Sequence, residues 1–164
     1  MPVQNGDDCG FTLVELIISI SILAVLASLS VVAINPPSVL ARARDSKRIA
    51  DLGVLVSAIT SYDVDNGIYP DDSGVIRYSN SLPQGQSGPL QSSDNGWIKG
   101  PFSKYVSSLL TDPTNSGLYV YRYKRSANTF EVDARFEYYK EKAVDDGGND
   151  NATFEAGNDL SLLD

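Results

Sequence analysis

Apolar residues are distributed very unevenly along this chain. Residues 16–34 read LIISISILAVLASLSVVAI, nineteen positions without a charge, and FTLVE precedes them. At ~1.5 Å per residue, a helix over 11–34 is about 36 Å long, enough to cross a ~30 Å hydrocarbon layer. Pro36-Pro37 remove two backbone donors and restrict Asn35, so a break is expected there, with Ser38 as the cap of the next segment. Beyond it, Ile49, Leu52, Val56, Ile59 and Tyr62 recur at spacings of three and four. That period predicts an amphipathic helix ending at Asn66-Gly67 and Tyr69-Pro70.

The period then changes to two. Over 118–125, Tyr119, Tyr121 and Tyr123 alternate with Val120, Arg122 and Lys124, and over 130–138, Phe130, Val132, Ala134, Phe136 and Tyr138 alternate with charged positions. A hairpin closing over 126–129 pairs Tyr123 with Val132, Tyr121 with Ala134 and Tyr119 with Phe136 on one face. The same register sets Lys124 against Glu131 and Arg122 against Asp133 on the other, so both faces favour it. Residues 71–118 are rich in Ser, Gly, Pro and Asp, and read as a long loop region with a short helix at 104–110 (KYVSSLL). The tyrosine row packed on the helical stripe makes an α+β domain.

Composition narrows the function. The 164 residues carry a formal charge of −8, with no His, one Met (Met1) and one Cys (Cys9). Without His there is no ordinary neutral-pH base, no Ser-His or Cys-His nucleophile and no His-bearing zinc site. Carboxylate-only chemistry stays open, but nothing in the sequence requires it, and a non-enzymatic protein is expected. The negative charge argues against nucleic acid as a partner.

Glu15 stands out inside the apolar segment. An ionised carboxylate there costs about 2.5–3.5 kcal/mol on insertion scales, so an intramembrane acid is a functional candidate. The segment holds no Lys, Arg or His to pair with it. A cut after Gly10 creates a cation, the α-amino group of Phe11. In a bundle of chains, Glu15 could then pair with the Phe11 amino group of a neighbour, each added subunit relieving a buried unpaired charge.

Gly10-Phe11-Thr12-Leu13-Val14-Glu15-Leu16, followed by an apolar stretch, resembles the type III signal of type IV prepilins and type II secretion pseudopilins. Further likeness lies in the 41–48 stretch ARARDSKR, in the 62–70 helix exit, and, more distantly, in Asp112-Pro113-Thr114 and the C-terminal half. The resemblance implies a pilin-like fold: a long N-terminal helix, transmembrane in its first half and amphipathic in its second, packed on a small antiparallel sheet. It implies a leader at 1–10 that is removed, a filament-core helix at 11–37 and an extracytoplasmic domain at 38–164. It also implies cleavage after Gly10 and N-methylation of Phe11 by a membrane prepilin peptidase, with Glu15 guiding assembly of a homo-oligomeric filament. The expected partners are that peptidase, an inner-membrane platform and an assembly ATPase. The expected site is the inner membrane, then the cell-surface filament. One departure is the leader MPVQNGDDCG, which lacks the Lys or Arg usual in the family. The nearest cations, Arg42, Arg44, Lys47 and Arg48, lie beyond the span, against the positive-inside rule. The motif sets the orientation taken here.

Several readings stay open. The basic cluster is either a solvated helix face with local pairs such as Lys47–Asp51 and Arg48–Asp51, or a contact for acidic faces of neighbouring subunits. The acidic tail after Ala143 is either solvated or, through Asp145, Asp146 and Asp150, a calcium loop of the kind some pseudopilins hold. EF-hand spacing fails: counted from Asp146, position six is Asn151 and position twelve Gly157. No other cofactor is expected. The competing function is a monomeric, single-pass anchored module that binds a ligand outside the cell, and Glu15 is the residue such a module has no use for.

Overall fold

The computed structural model describes residues 10–81 and 96–163. The expected leader at 1–10, all but Gly10, lies outside the described residues, as do 82–95 of the expected loop and Asp164. The chain falls into two compact units, divided between Val39 and Leu40.

In the first unit the apolar run forms α1 (Leu13–Ile34). Its C-cap, Asn35, takes a left-handed conformation (φ 49°), a region that Asn tolerates better than most residues. The next helix, α2 (Pro36–Asn66), starts at the first proline, whose missing N–H is unneeded at a helix start. The expected break is therefore present. The expected Ser38 cap is not: Ser38 already lies in the helix, and its hydroxyl donates to the Asn35 carbonyl (3.0 Å).

The second unit is the α+β domain. Strands β1 (Arg77–Tyr78), β2 (Tyr121–Ser126), β3 (Thr129–Arg135) and β4 (Thr153–Gly157) form one antiparallel sheet in that order. The β2–β3 register pairs Tyr123 with Val132, Tyr121 with Ala134, Lys124 with Glu131 and Arg122 with Asp133, as the alternation predicts. The ladder stops short of the expected Tyr119–Phe136 pair. Tyr119 instead lies under the Arg48 guanidinium, 5.0 Å from ring centroid to Cζ, and Phe136 stacks on Phe154 of β4 (5.0 Å, 13°).

Leu52, Leu55, Ala58 and Ile59 of α2 are buried against Tyr121, Tyr123, Phe130, Val132 and Ala134 of the sheet. The stretch between helix and hairpin is less of a loop than its composition implies. Trp97, Ile98, Phe102 and Leu109 complete this core, and Trp97 donates its indole N–H to the Leu110 carbonyl (3.0 Å). The expected helix at 104–110 is absent. One 3-10 turn, Phe102–Lys104, stands before it, because Phe102 and Leu109 must both reach the core while Tyr105 turns to Asp65. After α3 (Lys140–Val144) the tail is not a solvated one either: it supplies β4, and Leu163 is fully buried.

Candidate functional site

Two sets of charged residues are built into this chain with unusual care, one at the start of α1 and one within α2. The first is at the start of α1. Thr12 has the extended backbone of an N-cap, and its hydroxyl accepts the Glu15 N–H (3.2 Å). Glu15 returns the contact through Oε2, which accepts the Thr12 N–H (3.0 Å) and the Thr12 hydroxyl (2.8 Å). This is a capping box, and Thr12-x-x-Glu15 is its sequence signature, so Thr12 was legible as a positioning residue that the charge-centred reading passed over. The second oxygen, Oε1, has no partner among the described residues.

The rest of α1 is made for an apolar medium. Leu13–Ser30 is long and apolar enough to span a membrane, and none of it is buried within the chain. Its hydroxyls are satisfied locally: Ser19, Ser21, Ser28 and Ser30 donate to carbonyls three or four residues back at 2.7–2.9 Å. No serine hydroxyl is thus left unpaired towards lipid. Phe11 is 73% exposed, and a Cβ added at Gly10 would meet nothing within 4 Å. The described residues thus impose no steric need for glycine at position 10.

The second set surrounds Arg48, which is fully buried. Its guanidinium forks onto Asp112 (Nε–Oδ2 2.6 Å, Nη2–Oδ1 3.0 Å) and donates through Nη1 to Asp45 (2.7 Å) and Glu137 (2.8 Å). Arg48 was expected to pair locally with Asp51, but burial demands several acceptors and the helix face alone supplies too few. Asp51 takes Lys47, as expected, and the buried Tyr121 hydroxyl (2.9 Å). Asp45 is cradled in turn by the N–H groups of Glu137, Tyr138 and Tyr139 at 2.7–3.1 Å. Hydrogen bonding from Arg44, followed by Arg48, holds the Glu137 carboxyl down at about 2. Arg42 donates to Tyr138. The basic cluster is thus largely consumed inside its own domain.

The C-terminal acids are placed apart in role. Asp146 accepts the N–H groups of Gly148 (2.9 Å) and Glu155 (2.7 Å), and Asp150 those of Ala152 (2.9 Å) and, by its other oxygen, the Thr153 hydroxyl (3.2 Å). Asp145 is exposed. Among the described residues, no group of three or more acids, His or Cys is arranged to hold a metal ion. Sequence reading missed Glu131 and Glu155, which are buried with one unpartnered oxygen each. Burial, and then contact with Glu131, raises the Glu155 carboxyl to about 8. A proton kept on Glu155 supplies the donor that the two orphan oxygens otherwise lack.

A capped, lipid-suited helix with an acid in its first turn, joined in one chain to an α+β domain, defines a pilin-type subunit. The prokaryotic N-terminal methylation motif matches residues 6–31, which include Gly10, Phe11 and Glu15. The chain is 31% identical over 100 residues to the type II secretion system core protein G of Aeromonas hydrophila, covering 59% of this chain and 66% of that protein. It is 28% identical over 100 residues to the protein of the same name from Pseudomonas aeruginosa, covering 59% and 67%. These matches therefore span about two thirds of the relatives' length. No solved structure matches the chain. The chain thus carries a prokaryotic N-terminal methylation motif and is a relative of type II secretion pseudopilins.

Proposed function

We propose that this protein is a non-catalytic structural subunit of a type II secretion pseudopilus or a type IV pilus-like filament. It waits in the inner membrane on α1, its domain on the extracytoplasmic side. A prepilin peptidase cuts between Gly10 and Phe11 and methylates the new amino group. An assembly ATPase and a membrane platform then move the subunit into the filament. The observation that carries this reading is Glu15: an acid in a lipid-suited helix, held in a fixed rotamer by Thr12 through one oxygen and leaving the other open. A neighbour's Phe11 amino group is the cation it fits, because the helix itself offers none.

The test compares wild type with Glu15→Ala in cells carrying the assembly machinery. Both should be cut at Phe11, seen by N-terminal sequencing, and both should insert. Removing one half of a buried pair costs about 3–5 kcal/mol, so surface filament should be lost with the alanine. A normal filament yield with Glu15→Ala would favour the anchored, monomeric module. Calcium in the loop of Asp145, Asp146 and Asp150 is a separate proposal that rests on family likeness and on the density of carboxylates there. A calcium-dependent rise in the melting temperature of the domain would support it, and no change up to millimolar calcium would end it.

A further inference from the structure

The outer face of the sheet, turned away from α2, carries a cavity of about 320 Å³. Its floor is the Arg122–Asp133 ion pair, and Tyr78, Asn80, Gly117 and Arg135 stand around it. That volume is at the lower end of ligand sites and fits one small polar group rather than a drug-sized molecule.

The charges lining it are not equally committed. Asp133 receives Arg122 through Nε (2.9 Å) as well as through the tip of the guanidinium. Asp150 lies 3.8 Å from Arg122 and accepts from Ala152 and Thr153. Arg135 differs. Its backbone pairs with Thr153 at the end of β3 and the residue is half-buried, yet its guanidinium has no hydrogen bond or ion pair among the described residues. Each of the chain's other arginines has a partner: Arg42 has Tyr138, Arg44 Glu137, Arg48 its three acids, Arg77 Asp71, Arg122 Asp133, and Arg125 the Asp71 carbonyl. A guanidinium is a planar fork of five donors, suited to two parallel bonds with one carboxylate. In a chain this acidic, whose other arginines are all engaged, an unengaged fork inside a cavity marks a place for an acid from elsewhere.

The geometry points to an inter-subunit socket: Arg135 and the cavity around it receive an Asp or Glu side chain from a second copy of this chain. The occupant follows from charge and from concentration. The chain carries −8 overall, and acids such as Glu141 and Asp145 stand exposed without a side-chain partner among the described residues. In a filament, neighbouring copies present such acids at an effective concentration that a free ligand does not reach. Socket and acid lie at different places on one copy, so the contact is head-to-tail, the kind that propagates. This inference rests on the filament reading above.

The experiment uses the full chain in cells with the assembly machinery and compares wild type, Arg135→Lys and Arg135→Glu. Processed subunit and sheared filament are measured in each. Arg135→Glu should reduce filament on the order of tenfold or more at an unchanged level of processed subunit, equivalent to at least ~1.4 kcal/mol per contact. Arg135→Lys keeps the charge without the fork and should fall between. Should the glutamate variant fail to accumulate, Arg135→Gln supplies the comparison, since it removes the charge from a solvent-open site without reversing it. A second readout uses the absence of Cys from the mature chain. Arg135→Cys combined with Glu141→Cys or Asp145→Cys should give a disulfide ladder in filaments and none in processed subunit held in the membrane. Wild-type filament alongside normal filament from the Arg135→Glu or Arg135→Gln variant overturns the socket and leaves the filament reading intact. No filament from wild type overturns the filament reading itself.

Discussion

Glu15 and Arg48 are both charges placed where water is scarce, and the chain treats them in opposite ways. Arg48 is finished. Three carboxylates, a backbone cradle behind one of them and the Tyr119 ring satisfy the guanidinium within a single domain. Glu15 is half finished, with one oxygen held by Thr12 and the other open on an exposed apolar helix. Breaking or desolvating an unpaired charge is costly in either setting, so the finished cluster favours the folded domain and the unfinished one favours a second chain. The comparison teaches that a buried charge network is not by itself a functional site. The charge that lacks its partner is the more informative of the two.

The largest expected effect tests the finished side. Arg48→Met in the soluble domain leaves Asp45, Asp112 and Glu137 facing one another without a cation, and should cost about 3–5 kcal/mol in urea unfolding. A loss under ~1 kcal/mol would mean that the acids simply reach water and that the cluster resembles a surface pair. Next is Tyr121→Ala, which empties a fully buried site in the core and deprives Asp51 of a hydroxyl donor. The expected loss is about 3–5 kcal/mol by the same assay. A negligible change would place the tyrosine row at the surface and reopen a binding role for it.

The smallest effect is in pH. Glu155, raised from 4.5 to about 8, and Asp133, raised from 3.8 to about 6 chiefly by burial, hold protons in the folded state that the unfolded chain has released. Stability contributed by those protons is present below about pH 4 and is lost as pH rises towards 8. Glu137 acts the other way. Its carboxyl is depressed from 4.5 to about 2, so its contribution is present above about pH 4.5 and lost as pH falls through 2. The domain should therefore be more stable near about pH 5 than near pH 8, by on the order of 1–3 kcal/mol. Glu155→Gln should flatten that slope in thermal melts taken across the range. An unchanged slope would mean that Glu155 does not hold its proton in the folded state.

What could be read from the sequence was whatever depends on near neighbours. The spanning helix follows from composition, and the break from the lost donors of Pro36-Pro37. The Gly10-Phe11…Glu15 signal is contiguous, and the hairpin register follows from alternation over two adjacent runs whose faces agree. What lies far apart in the chain had to wait for the fold. Arg48 meets Asp112 and Glu137 across 64 and 89 positions, and no period in a sequence announces a partner at that distance. Strand β4 was hidden in an acidic tail because its alternation, Phe154 and Ala156 against Thr153 and Glu155, covers only five residues. It holds as a strand because β3 pairs with every residue of it. The 104–110 stretch has helical spacing but no helix, since burial of Phe102 and Leu109 on the same core outweighs local propensity. Local chemistry is legible in order along a chain, whereas burial is decided by which distant surfaces meet. Only burial turns Arg48 from a surface cation into the centre of a domain.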